Sequence, residues 1–202
     1  MEQTFNDQLN SNKAAFLFVV KLLFFYLLFS QGNILMNGMM SEGGKFYSEF
    51  ISNHLNYIQG LKSALIIPAV WLIKLFGFYA IYNQSDVMVV DGPYLQINYD
   101  CLGLGVMSFL VAFVIAFPAK IKDKANLLIF GLLLIYLLNL FRIFGLGVIL
   151  AYFESQRNNF TYHHEVFNIL VYLSLFALLY FWIKQSNKPI KIDGDNAAQQ
   201  KL

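Results

Sequence analysis

The stretch CLGLGVMSFLVAFVIAFPAKIKDKANLLIFGLLLIYLLNLFRIFGLGVILAYF, residues 101–153, decides the fold class. Two apolar runs, 102–117 and 126–153, flank a short connection, AKIKDK, that holds Lys120, Lys122 and Lys124. Pro118 closes the first run, and Arg142 is the only charge inside the second. A helix needs ~20 predominantly apolar residues to cross a bilayer. A lysine-rich turn between two such runs therefore reads as a pair of membrane helices joined at a wet face.

Working outward, residues 14–30 form another apolar run, AAFLFVVKLLFFYLLFS, which continues toward Met36. Residues 64–82 form one that is interrupted by Pro68 and Lys74, and residues 166–183 form one with no interior charge. The whole chain agrees: of 202 residues, 58% are hydrophobic and 21 are Phe, while only 13% are charged. Soluble domains carry about 25% charged residues. The mean hydropathy is +0.55. A disordered chain, a coiled coil and a disulfide-stapled scaffold are excluded. A soluble enzyme is disfavoured, since a domain this small cannot hide so much apolar surface. The net charge of +2 is small and scattered, so no nucleic-acid partner is expected. The partner of the surface is the lipid bilayer.

Lysine and arginine placement sets the expected orientation. AKIKDK is dense in lysine, whereas SQRNNFTYHH carries only Arg157. Lys184, Lys188, Lys191 and Lys201 follow the last run. The AKIKDK turn and a polar tail over 185–202 are expected to be cytoplasmic, and SQRNNFTYHH external. Residues 1–184 are expected to form a single integral membrane domain. The first run lacks a small-x-small cleavage site and holds Lys21, which argues against a cleaved signal peptide.

Before Cys101 the period changes. In LQINYD, Leu95, Ile97 and Tyr99 alternate with Gln96, Asn98 and Asp100, the repeat of a half-buried strand. Upstream, VMVV meets Asp91-Gly92, a hairpin signal, with Pro93 beyond it. The expected fold is an all-α membrane protein, a bundle of about four to five hydrophobic helices with a small external β-hairpin before the Cys-bearing helix. Parity then makes 64–82 the odd segment. Pro68 is expected to break it, leaving it in the outer interface instead of across the membrane. Residues 39–60, with Glu42, Lys45, Glu49 and His54, read as a polar external segment in which His54 is a solvated histidine.

Counting from Ala125 at ~1.5 Å per residue places Arg142 ~26 Å up its helix, near the outer boundary of a ~30 Å hydrocarbon layer. Cys101 begins its helix at that boundary, and His163 and His164 open the last helix there. Each has a structural explanation. A lone cysteine packs among helices as a small apolar residue, Arg142 snorkels, and the histidines end a helix at a wet surface. Gly103, Gly105, Gly145 and Gly147 let helices approach. Asn139, three residues before Arg142, shares its helical face and suits an inward hydrogen bond. What favours chemistry is three groups of the right type at one height. A thiolate is a nucleophile whose pKa falls beside Arg or His⁺. An imidazole takes the thiol proton and returns it to a leaving amine, and a guanidinium stabilises an oxyanion. Asp100 opposes the thiolate unless it caps the helix. No cofactor or metal set is expected from one cysteine without a CxxC pair.

These residues resemble the exosortase/archaeosortase family of membrane cysteine transpeptidases, and the short exosortases of Bacteroidota-type bacteria most nearly. Three blocks carry the resemblance, in order, over roughly residues 86–183: Cys101-Leu102-Gly103, Asn139-Leu-Phe-Arg142-Ile143, and His164-Glu-Val-Phe-Asn168. It implies a catalytic Cys101, Arg142 and His164, with Asn139, His163 and Asn168 in support. It implies a protease or transpeptidase that cuts exported proteins at a tripartite C-terminal sorting signal. The acyl group then passes through a Cys thioester to an unidentified envelope acceptor. Asn168 stands where the family often has Gly, and Leu102 where a small polar residue is frequent. Two other classes fit the composition: a non-catalytic membrane factor for envelope polysaccharide assembly or export, and a small-molecule carrier with Arg142 as an anion site. Against the carrier, the sequence has no inverted repeat.

Overall fold

The computed structural model describes residues 2–41, 43, 46–90, 92, 94–152 and 163–186. The chain forms helices α1 (Glu2–Met40), α2 (Glu49–His54) and α3 (Tyr57–Leu75), then strands β1 (Ala80–Tyr82), β2 (Asp86–Val89) and β3 (Tyr94–Gln96). A single 3₁₀ turn, Tyr99–Leu102, leads into α4 (Leu104–Ala116), followed by α5 (Ile121–Tyr152) and α6 (His163–Ser186). The expected all-α membrane fold with a small β element is what the chain adopts. By length and composition, Asn12–Met40, Glu49–Leu75, Ile121–Ile149 and Phe167–Gln185 suffice to cross a membrane, and Leu104–Ala116 is shorter. At 1.5 Å per residue α4 is only ~20 Å long.

Aromatic packing fixes how the long helices run. Phe18 of α1 meets Phe113 and Phe117 edge-on, both at 5.9 Å, and Tyr26 meets Phe109 at 6.2 Å. Higher on α1, the Asn33 amide donates to Ser108 Oγ at 3.0 Å. Rising numbers on α1 thus meet falling numbers on α4, and the two are antiparallel. Leu110 lies against Gly131 of α5, where an added Cβ would come within 2.5 Å of it. At the base of the bundle Trp182 of α6 packs on Phe117 at 5.3 Å and donates its indole N–H to Asp123 O at 3.2 Å. One end of the bundle therefore gathers the turn bearing Lys120, Lys122 and Lys124 with Lys184. The other gathers the end of α1, the 3₁₀ turn, the later half of α5 and the start of α6.

The 64–82 stretch does not break at Pro68, contrary to expectation: α3 runs through it. Proline cannot donate to the carbonyl four residues back. That acceptor, Ala64 O, instead receives the Tyr136 hydroxyl of α5 at 2.8 Å. The stop comes later, at Gly77 with φ +89°. Gly77 N–H bonds Lys74 O at 3.0 Å and Phe78 N–H bonds Ile73 O at 3.3 Å, a Schellman ending that only glycine takes without strain. Residues 80–82, the end of the apolar run, become β1. Along α5, α3 meets Tyr136, then Phe144 (opposite Phe76, 4.9 Å) and Gly147 (against Ile73). Its first residue, Tyr57, donates to Asn33 Oδ1 at 2.5 Å. The helix thus lies beside the half of α5 nearest Cys101.

The expected hairpin is there, between β2 and β3, and β1 adds a third strand in the antiparallel order β1-β2-β3, with Ala80 opposite Val89 and Val87 opposite Leu95. Val87 and Val89 are buried beneath α3. The second strand is shorter than its alternation implies. Ile97 N–H makes its bond to Ser85 O, and from Tyr99 the chain winds into the 3₁₀ turn. Within residues 39–60, α1 continues to Met40, α2 follows, and α3 begins at Tyr57. His54 there is exposed, stacked on Phe50.

Candidate active site

Cys101 sits in the 3₁₀ turn, its N–H bonded to Asn98 O at 3.0 Å. Two residues on, Gly103 takes φ +71° and passes the chain into α4. Both its conformation and its surroundings demand glycine. A Cβ there would lie 2.5 Å from Asn139 Nδ2 and 3.2 Å from Ile135 Cγ2. Asn139, on α5 and 3% exposed, donates that same amide to Leu102 O at 3.2 Å. The turn bearing the thiol is thus bonded to the helix bearing Arg142, one turn away from the arginine itself.

Arg142 is buried, with its guanidinium carbon 5.0 Å from the centroid of the Phe167 ring on α6. Cation–π packing of this kind suits a desolvated guanidinium. Arg142 lines one cleft with Asp100 and Gly103, which lie on either side of Cys101 in the chain. The turn that carries the thiol and the helix that carries the guanidinium are therefore neighbours. A cleft of about 320 Å³ opens beside them. It is lined by Tyr99, Asp100 and Gly103 at the turn, Asn139 and Arg142 of α5, Asn168 of α6 and Ser30 of α1. Cys101, 8% exposed, does not itself line the cleft. Burial, followed by the neighbouring Tyr57 and Asp100, pushes the Tyr99 phenol above its ordinary value. It is a hydrogen-bond donor at neutral pH.

Of the histidines, the backbone of His163 and His164 opens α6, but their side chains lie outside the described residues. Asn168, one turn further along α6 than His164, is exposed at the cleft. Asp100 is not a helix cap: Asn98 precedes the 3₁₀ turn, Gly103 precedes α4, and Asp100 faces the cleft. Among the described residues, no three His, Cys, Asp or Glu side chains gather as a metal set. The four glycines divide. Gly103 and Gly147 are close-packed, while a Cβ at Gly105 or Gly145 meets nothing within 4 Å. Sequence reasoning missed Tyr99, Ser30 and Phe167 as neighbours of the site, and no spacing signal marks them. A larger cleft, about 460 Å³, lies at the lysine end between α5 and α6 around Asp123 and Trp182, away from Cys101.

The fold and the site together define a multi-pass membrane protein with a thiol, a guanidinium and two asparagine amides grouped at one end of its helices. A family model described as transmembrane exosortase (Exosortase_EpsH) matches residues 46–181, and the chain belongs to this family. The match begins at residue 46, earlier than the 86 from which the resemblance was read, and so takes in α2, α3 and β1. No curated protein and no solved structure matches the chain.

Proposed function

We propose that this exosortase-family protein is a cysteine protease or transpeptidase of the bacterial cytoplasmic membrane. It cleaves C-terminal sorting signals of exported proteins near the external face and passes them to an envelope acceptor. The observation that supports this best is the bond from Asn139 to Leu102 O, which ties the Cys101 turn to the helix of Arg142 beside a cleft. In the reaction, the Cys101 proton goes to His164 and the thiolate attacks the scissile carbonyl carbon. Arg142 balances charge on the oxyanion, and the C–N bond breaks as the imidazolium protonates the departing amine. A nucleophile on the acceptor, or water, then displaces the thioester and restores the thiol.

The test is Cys101→Ala with Arg142→Lys. The alanine variant, expressed at normal level, should make proteins with a tripartite C-terminus accumulate uncut. Lysine keeps the charge but loses the planar fork, and loss of one oxyanion donor costs ~10²–10³ in rate. Normal maturation in well-expressed Cys101→Ala cells would sink this reading and leave a non-catalytic envelope-assembly factor in its place.

A further inference from the structure

The sheet has an open edge that leads into the Cys101 turn. In the order β1-β2-β3, β3 pairs with β2 alone. Along an antiparallel ladder, residues aim their N–H and C=O alternately at the partner strand and away from it. Ile97 N–H bonds Ser85 O at 2.8 Å, and Leu95 stands opposite Val87. Residues 95 and 97 therefore face β2, while the N–H and C=O of Tyr94 and Gln96 face outward. Both residues are exposed, and on that side neither has a backbone hydrogen bond among the described residues. The strand itself is anchored, because the Leu95 side chain lies 3.8 Å from where a Cβ at Gly147 of α5 would stand. Three residues past Gln96 the chain reaches Tyr99 and then Asp100, which line the cleft. At ~3.3 Å per residue that is ~10 Å.

We infer that the outer edge of β3 binds the extended backbone of the peptide substrate, on the N-terminal side of its scissile bond, as a fourth strand. The inference rests on the proposed peptidase activity and names how that site takes hold of the chain it cuts. The edge selects the class of ligand. Its outward donors and acceptors recur every second residue, ~6.6 Å apart, and a peptide in strand conformation matches that spacing. Strand addition of this kind draws its affinity from main-chain hydrogen bonds. A phospholipid headgroup offers no such row. The position of the edge selects which peptide. β3, the 3₁₀ turn and α4 follow one another in the chain, so a peptide lying along β3 continues past Tyr99 and Asp100 into the cleft. The opposite edge belongs to β1, which follows α3 and is separated from that turn by two strands.

Two arms test this in whole cells carrying the full chain. In the first, Gln96→Pro removes one outward N–H and keeps the ladder to β2, because a sheet accepts proline at an edge position whose N–H faces away from it. Tyr82→Pro is the control. Asn83 N–H bonds Asp86 O and Val90 N–H bonds Tyr79 O, so Tyr82 faces outward on β1 by the same alternation. Pulse-chase follows an exported protein that accumulates uncut in Cys101→Ala cells. Its processing should fall roughly 10-fold in Gln96→Pro, the effect of losing one backbone hydrogen bond, and stay unchanged in Tyr82→Pro. Unimpaired processing in Gln96→Pro at normal protein level overturns the inference. An equal fall in Tyr82→Pro, or in Gln96→Ala, which keeps the N–H, overturns it too. The second arm stands whether or not the proline variant folds: photoreactive p-benzoylphenylalanine replaces Gln96 in a Cys101→Ala chain, and adducts are sequenced after irradiation. The expected adduct maps to the uncut precursor, N-terminal to its cleavage point. An adduct only to a second copy of this chain, to phospholipid or to another protein, or no adduct while the precursor accumulates, overturns the edge and leaves the peptidase reading intact. No precursor in Cys101→Ala cells overturns both.

Discussion

Gly103→Ala attacks the joint on which the site depends, and its cost can be divided in advance. The left-handed conformation at φ +71° costs an L-residue about 1–2 kcal/mol. The new Cβ, 2.5 Å from Asn139 Nδ2, must push that amide off Leu102 O. Hydrogen bonds between membrane helices contribute about 0.6–2 kcal/mol. Asn139→Ala forfeits the same bond but also empties the space the Cβ needs. Gly103→Ala added to Asn139→Ala should therefore cost only the backbone term. The double-mutant cycle is expected to show a coupling of about 1–2 kcal/mol, measured by SDS-titrated unfolding in mixed micelles. A second readout is the rate of maleimide addition to Cys101, the sole thiol. It should rise in both single variants as the turn loosens, and rise no further in the double one. Additivity within about 0.5 kcal/mol would refute the claim that Gly103 and Asn139 act as one unit.

Tyr136→Phe should destabilise the fold by about 0.5–2 kcal/mol by leaving Ala64 O without its donor. Pro68→Ala should recover most of that loss in the same background, because an alanine N–H reaches the orphaned carbonyl; absence of rescue in unfolding titrations would remove Tyr136 from this role. Single cysteines at Gly60 and Asn83, in a Cys101→Ser chain, should react with impermeant maleimide from the same side of intact cells. Gln59 Nε2 donates to Gln84 O at 2.7 Å and Lys62 Nζ to Ser85 Oγ at 3.2 Å, which holds the two positions at one depth; labelling from opposite sides contradicts this. Orientation is checked with a Cys at Ser155 in that chain, expected to label without lysis. His164→Ala should abolish processing of tripartite precursors and His163→Ala only reduce it, and the reverse ranking would move the acid–base role to His163.

The long helices were legible because burial in lipid needs little more than an apolar run of the right length, with lysines at its ends. The boundary near residue 76 was not. Composition stays apolar through Tyr82, and the signal that matters is Gly77, whose positive φ cannot be told from a packing glycine by sequence. Pro68 misled for a related reason. Its effect on a helix is decided by whether the freed carbonyl finds a donor, and that donor, Tyr136, is 72 residues from Ala64. The hairpin was visible in the Asp91-Gly92 signal and the alternation, yet the alternation runs to Asp100 while β3 ends at Gln96.

The site divides along the same line. Residue type and height are local properties, so Cys101 and Arg142 could be assigned to one end of the bundle by counting along helices, and the turn of the one lies against the helix of the other. What holds them in register is not local. Leu102 O and Asn139 are 37 residues apart, and a buried asparagine in a membrane helix could equally face a water, a ligand or another helix. Had Arg142 been held only by snorkelling, its head would have been free to follow the interface. Instead it is buried against Phe167, and the neighbouring turn of the same helix grips the backbone next to the thiol. A charge that is expensive to hide is thus kept beside a nucleophile by a joint that tolerates neither a side chain at 103 nor the loss of the amide at 139. A chain that needed only to span the membrane would relax both constraints.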